Sequence, residues 1–149
     1  MRDRVLGTRD QGCDVPSPQS LVPDFRRFVK VSIEAVLEKL VHSTPKAIGA
    51  IMVDWEGEAV QEYCYCDPYE IRFIAAHKAI LLSAFKELHG SCDDAGQIEE
   101  LVISSSGVHL IIGIIDEDYS LVLSVDRSGS LSLARYHFRQ ALVDIRKEM

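Results

Sequence analysis

Two short runs of apolar residues constrain this 149-residue chain more than any other feature. Residues Ala47 to Val53 are apolar at every position, and residues Val108 to Ile115 are interrupted only by His109 and Gly113. Pro45 and the sequence Asp54-Trp55-Glu56-Gly57 bound the first run. Runs of this length between turn signals are typical of strands that are covered on both faces. The sequence therefore predicts a sheet with at least two interior strands and a layer of helices on each side.

The rest of the chain supplies three helices and three further strands. Asp24 can cap a helix that begins at Phe25 and ends before Pro45, and Asp67-Pro68-Tyr69-Glu70 is a strong start for a second helix. Gly90 is expected to end that second helix in the left-handed conformation. The predicted elements are a helix from Phe25, strands 47–53 and 59–66, a helix 68–89, strands 97–104, 108–115 and 119–125, and a helix 130–147.

These elements predict an α/β domain with the order α-β-β-α-β-β-β-α. The links between the last three strands are short, so these strands are expected to be antiparallel neighbours. A five-stranded antiparallel sheet with helices on both faces satisfies the pattern. In a monomer, strand 97–104 would lie at the edge of this sheet, where an unpaired strand is usually blunted by charge or paired with another chain.

The central helix carries more apolar residues than one buried face needs. They cover well over half of its circumference, whereas a helix on a sheet needs a stripe only somewhat wider than about 100°. These residues are Ile71, Phe73, Ile74, Ala75, Ile80, Leu81, Leu82, Ala84, Phe85 and Leu88. These residues could form two stripes that both pack against parts of the same chain. We favour one stripe against the sheet and the remainder against a second subunit.

The other parts of the sequence narrow the class of protein. Residues 1–22 are rich in Gly, Pro and Ser and predict a flexible leader before a domain at 23–149. A net charge of -7 argues against binding to nucleic acid or to an anionic membrane surface. Neither a membrane-spanning run nor a signal-peptide pattern is present, so a cytoplasmic protein with its four cysteines reduced is expected.

No catalytic or cofactor motif stands out. The sequence lacks Gly-x-x-x-x-Gly-Lys-Ser/Thr, Gly-x-Ser-x-Gly and His-Glu-x-x-His, and the serines at 104–106 fit a turn. Cys64 and Cys66 could share a soft metal with His77 or Cys92, but buried, inert thiols are the favoured interpretation. We therefore predict no catalytic residue, no cofactor and no metal.

The ordered set of elements resembles the Roadblock family, which includes dynein light chains and MglB-type bacterial regulators. The residues that carry the resemblance are Ile48 to Gly57, Val108 to Val125, and the final-helix entry Gly129-Ser130-Leu131-Ser132-Leu133-Ala134-Arg135 followed by Phe138-Arg139-Gln140-Ala141. It covers about residues 25 to 148. The sequence departs from the family at Tyr63-Cys64-Tyr65-Cys66 and at Trp55, where smaller residues are usual.

The resemblance implies a profilin-like fold, a homodimer, and binding to a small Ras-like GTPase as a scaffold or as an activator of hydrolysis. It also implies dimer contacts through the central helix and the strand that follows it, at Ile71, Ile74, Lys78, Leu81, Phe85, Leu101 and Ile103. Arg127, Arg135 and Arg139 could assist phosphoryl transfer, but solvated helix surface is the favoured interpretation.

Two alternatives remain open at the level of sequence. One is a ligand-sensing domain of the profilin or PAS type, for which His109 and Tyr119 are the candidate pocket residues. The other is a purely structural adaptor without effect on hydrolysis.

Overall fold

A computed structural model describes the backbone of residues 25–90 and 96–149 and the side chains from residue 33 onward within these ranges, except at positions 79, 88 and 89. The predicted leader and the thiols of Cys13 and Cys92 lie outside the described residues. Within the described part, no helix is long and apolar enough to cross a membrane.

The predicted order of elements is confirmed. The chain forms α1 (Phe25–Ser43), β1 (Ala47–Asp54), β2 (Ala59–Cys64), α2 (Pro68–His89), β3 (Glu100–Ser104), β4 (Val108–Ile114), β5 (Tyr119–Asp126) and α3 (Leu131–Glu148). Observed and predicted ends coincide or differ by at most three residues. The largest difference is at β3, which starts at Glu100 rather than at Gln97.

The five strands form one antiparallel sheet in the order β2-β1-β5-β4-β3. The two apolar runs are interior strands, as predicted, and β5 lies between them. The last three strands are antiparallel neighbours, also as predicted. β2 and β3 form the two edges of the sheet in the described chain.

The two faces of the sheet are covered unequally. On one face, α1 and α3 bury Leu37, Phe138 and Ile145 against Met52 and Leu123. On the other face, α2 is the one helix of the described chain, and it contributes Ile71, Ala75 and Leu82 to a smaller core with residues of β1, β4 and β5. Helices therefore lie on both sides of the sheet, two on one face and one on the other.

Local signals in the sequence explain most of the turns. At the β1–β2 hairpin, Asp54 Oδ1 accepts hydrogen bonds from the backbone N–H groups of Glu56 and Glu58 at 3.0 and 2.8 Å. Gly57 takes the positive φ of 89° that this turn requires. Ser130 caps α3 by accepting a hydrogen bond from the N–H of Leu133.

α2 ends at His89 as predicted, but the conformation expected at the next residue was wrong. Gly90 does not have a positive φ, and its N–H donates to the carbonyl of Lys86 at 2.9 Å, which continues the helical bonding pattern. A glycine after a helix permits the left-handed conformation but does not impose it. Nothing in the sequence indicated the positive φ of 67° at Lys46, between α1 and β1.

Gly113 lets α3 approach the sheet closely. A Cβ atom at this position would lie 2.6 Å from Phe138 Cε1 and 2.7 Å from Leu142 Cδ1, nearer than side chains in a packed core can come. Phe138 is fully buried, so neither it nor the helix can move aside without disturbing the core.

We expect Gly113→Ala to lower the free energy of unfolding by about 1–3 kcal/mol, because the added methyl overpacks the interface between β4 and α3. Urea denaturation followed by circular dichroism measures the change. Gly107→Ala is the matched control, since a Cβ there meets no atom within 4 Å. Equal stability of the two variants would contradict the close packing of α3 on Gly113.

Candidate functional site

The first turn of α2 is built as its sequence predicts. Asp67 Oδ1 accepts a hydrogen bond from the N–H of Tyr69 at 3.0 Å, and Pro68 occupies the first helical position. From this fixed start, successive side chains point about 100° apart around the helix axis. The start therefore sets the angular order of the side chains around α2, and contacts with the sheet set which of them face it.

The inner side of α2 is formed by Ile71, Ala75 and Leu82, all of which are buried. Ile71 is 1% exposed, and its Cδ1 atom lies close over Gly49 of β1. Ile71 therefore belongs to the core of its own chain, and we remove it from the candidate dimer contacts. Helical periodicity alone could not separate it from the other apolar residues of α2.

One flank of α2 faces β2. Arg72 forms a bidentate ion pair with Glu62 of β2, in which Arg72 Nε donates to Glu62 Oε2 at 2.7 Å. Since Glu62 belongs to the edge strand β2, this pair identifies the flank of α2 that faces β2. The opposite flank must therefore point towards the half of the sheet that contains β4 and β3.

That opposite flank carries most of the remaining candidate contacts. Ile74 and Lys78 are half-buried, and Leu81 and Phe85 are exposed. On the neighbouring sheet, Leu101 and Ile103 of β3 are half-buried against the core under α2. We call these six residues the lateral surface. The structure thus places six of the seven predicted contact residues on one side of the molecule.

A second apolar stripe lies on the outer side of α2, directly away from the sheet. It consists of Tyr69, Phe73 and Ile80, whose side chains are 71%, 54% and 69% exposed. The rings of Tyr69 and Phe73 are stacked with their centroids 6.3 Å apart, and the ring centroids of Phe73 and His77 are 4.3 Å apart. We call Tyr69, Phe73 and Ile80 the outer stripe. Large apolar side chains in a row on a surface are typical of an interaction site.

The cysteine pair does not assemble a metal site in the described chain. Cys64 Sγ donates a hydrogen bond to the carbonyl of Cys66 at 3.3 Å, and both residues are half-buried against the core under α2. Only Asp54, Glu56 and Glu58 bring three donor atoms close together in the part of the chain that the structure describes. The buried-hydrophobe interpretation therefore fits the observed packing of the thiols.

Tyr63 and Tyr65 cover the end of α1. Their hydroxyl groups lie 3.0 and 2.7 Å from the two ring nitrogens of His42 in the last turn of α1. Burial, the carboxylate of Glu38 and the nearby Tyr65 raise the pKa of Tyr63. These two tyrosines, at which the sequence departs from the family pattern, therefore connect the end of β2 to α1.

The candidate pocket residues do not meet in a cavity. His109 is buried, with its Nδ1 atom 2.7 Å from Ser104 Oγ and with the Arg127 guanidinium beside its ring. Tyr119 packs against the core between the sheet and α1 and α3. Two grooves formed by the described residues, of about 1020 and 120 Å³, are lined by neither His109 nor Tyr119.

The three arginines that were assigned to solvated surface all have partners. Arg127 lies beside His109, and both Arg135 and Arg139 bind the carboxylate of Glu100. Sequence analysis missed this arrangement because Glu100 is 35 residues or more from its partners. The only sequence signal is the spacing of the two arginines by four residues on one helix.

Comparison with known proteins identifies the fold. No family model and no curated protein sequence matches the chain. Among solved structures, a Roadblock/LC7 domain from Streptomyces avermitilis superimposes with a TM-score of 0.70 at 17% identity, covering 76% of this chain and 94% of its own. The gliding protein MglB from Thermus thermophilus gives 0.72 at 20% identity, covering 80% and 90%. An MglB with a tetrameric arrangement gives 0.73 at 20% identity, covering 80% and 89%. The predicted resemblance to Roadblock and MglB-type proteins is thus confirmed at the level of the fold.

We expect the Cys64 thiol to react slowly with iodoacetamide at neutral pH. Burial raises its pKa to about 11, and Cys66 adds to the rise, so little of the reactive thiolate is present near pH 7. Mass spectrometry that resolves Cys64 from Cys66 can follow alkylation between pH 7 and pH 11. The rate should still rise at pH 10 in the native protein, whereas in urea it should level off above an ordinary thiol pKa of about 8.5. A native rate that levels off near pH 8 would contradict this assignment.

Proposed function

We propose that the protein is a non-catalytic homodimeric module that binds and regulates a small Ras-like GTPase. The observation that carries the proposal is the division of the exposed apolar residues of α2 into the lateral surface and the outer stripe. The Roadblock and MglB fold supports the choice of partner, since the resemblance implies binding to such GTPases. Two separate surfaces on one helix fit a protein that contacts both itself and a second protein.

The lateral surface is suited to a second copy of the chain. It combines the partly open sheet face at β3 with the flank of α2 and lies beside the edge of β3, which has no partner strand in the described chain. A second copy that pairs its own β3 with this edge would cover Leu101 and Ile103 and bring Leu81 and Phe85 of the two subunits towards each other. Such a contact would give the backbone N–H and C=O groups at the edge of the sheet their hydrogen-bond partners and would bury apolar area at the same time.

The outer stripe is suited to the GTPase. It points away from the sheet, so a dimer formed through the lateral surface would leave Tyr69, Phe73 and Ile80 accessible on both subunits. Aromatic and large aliphatic side chains contribute most to the binding energy of protein interfaces. The two stripes of a dimer would form one platform large enough for a globular partner.

We expect Leu81→Asp combined with Phe85→Asp to yield a monomer. Each substitution would place an unpaired carboxylate in the dimer contact, and the desolvation penalty should raise the dimer dissociation constant on the order of a hundredfold. Sedimentation velocity over a range of protein concentrations measures this. Phe73→Asp on the outer stripe introduces the same chemistry on the same helix and should leave the dimer intact. A wild-type chain that stays monomeric at micromolar concentration would contradict the dimer.

We expect Phe73→Asp and Ile80→Asp to abolish capture of the GTPase from source lysate while the proteins remain folded and dimeric. The wild-type protein serves as bait for two portions of lysate, one with GDP and one with a non-hydrolysable GTP analogue. The amount of partner that it captures should differ between the two. Leu133→Asp, at an exposed apolar residue of α3, is the matched control and should capture as well as wild type. Undiminished capture by Phe73→Asp would show that the outer stripe is not the docking surface.

Turnover assays on the recovered GTPase then separate the modes of regulation. Faster GTP hydrolysis in the presence of the wild-type protein would indicate activation. Unchanged turnover would indicate a scaffold, in agreement with the adaptor alternative.

A further inference from the structure

The edge strand β3 is held by few contacts. It has five residues and pairs only with β4 in the described chain, in a register that runs from Glu100 opposite Gly113 to Ser104 opposite His109. At its beginning the pairing is weak, because the N–H of Ile114 donates to the carbonyl of Glu99 at 3.3 Å. The position of β3 must therefore depend on side-chain contacts as well as on the ladder.

The first residue of β3 makes the strongest of these contacts. The side chain of Glu100 is only 11% exposed, and it accepts hydrogen bonds from Arg135 Nε at 2.5 Å and from Arg139 Nε at 2.9 Å. The two arginines lie one turn apart on α3, so both reach the same carboxylate. We call Glu100, Arg135 and Arg139 the Glu100 clamp.

The clamp connects β3 to a rigid support. The same helix that carries both arginines packs on Gly113 through Phe138 and Leu142, and Gly113 is the residue opposite Glu100 in the ladder. The start of β3 is therefore held in two ways: its backbone pairs with β4, and Glu100 forms ion pairs with two arginines of α3. Charged hydrogen bonds of this type are stronger than neutral ones and more dependent on geometry.

A half-buried carboxylate at a sheet edge would be unfavourable without its partners. An inward-pointing charge is one of the devices by which proteins prevent their edge strands from pairing. In this chain two guanidinium groups neutralise Glu100, so its charge no longer opposes pairing. Leu101 and Ile103 then project to the opposite face, into the lateral surface, because side chains alternate along a strand.

We propose that the Glu100 clamp positions β3 for pairing with a second copy of the chain. Glu100 acts through the strand and does not itself contact the second copy, which makes it a positioning residue. This inference rests on the proposed homodimer. It assigns the position of the β3 edge to the ion pairs of Glu100, which lie on the face of the sheet covered by α3, opposite the lateral surface.

Sedimentation velocity on Glu100→Gln tests the proposal. The variant keeps the size and one acceptor oxygen of the side chain but removes the charge that holds both arginines. We expect its dimer dissociation constant to rise at least about tenfold. Glu62→Gln is the matched control, because Glu62 lies on the other edge strand and also pairs with a helical arginine, Arg72, on the flank of α2 that faces away from the lateral surface. It should dimerise as wild type does.

Three further measurements test whether the clamp positions β3 or stabilises the fold in general. Amide hydrogen exchange on Glu100→Gln should become faster in β3 while β1 and β5 keep wild-type protection. Arg139→Ala, which leaves Arg135 on the carboxylate, should give an intermediate dissociation constant. The combination of Arg135→Ala, Arg139→Ala and Glu100→Gln should dimerise no worse than the two arginine changes alone, since the partners act as one unit.

The results of these experiments distinguish failure of the proposed homodimer from failure of the positioning role of Glu100. A wild-type monomer would contradict the homodimer and the inference together. A wild-type dimer with unchanged dissociation in Glu100→Gln would overturn the inference alone. Loss of protection throughout the sheet of Glu100→Gln would also overturn it, because the clamp would then be a general stabiliser of the fold.

Discussion

The structure depends on the burial of a central three-stranded layer from both sides. β1, β5 and β4 carry apolar side chains on both faces, and leaving either face in water would forfeit the hydrophobic stabilisation of the sheet. Among the described residues, two helices cover one face and only α2 covers the other. The first face is closed by its own chain, whereas the second is closed over β1 and β2 and left partly open over β3.

This imbalance gives α2 its unusual composition. Its inner residues pack in the core, Arg72 on one flank pairs with Glu62 of β2, and the apolar residues on the other flank are only partly covered within the described chain. The lateral surface and the outer stripe differ in direction by about a quarter turn or more, so one partner molecule covering the lateral surface need not cover the outer stripe. A single helix can thereby serve a self-contact and a contact with a different protein.

The sequence predicted a large part of this arrangement. The order of elements, the interior position of both apolar runs and the edge position of β3 follow from local patterns that tertiary packing did not override. The left-handed conformation expected at Gly90 was wrong because a glycine allows several backbone conformations. Periodicity could not show that Ile71 is buried in its own chain, because it gives the angular order around a helix but not the absolute rotation. The Glu100 clamp was missed because its members are distant in the chain.

What the sequence determined by itself was the fold class, since a covered strand, an amphipathic helix and a tight turn each leave a periodic or compositional signal within a few residues. The tertiary structure alone decided which apolar residues of α2 face the sheet, which flank it and which point outward. It also decided that Arg135 and Arg139 meet one carboxylate on an edge strand. The physical reason is the same in both cases: the rotation of a helix and the pairing of distant charges are fixed by contacts between elements, and those contacts exist only after the chain has folded.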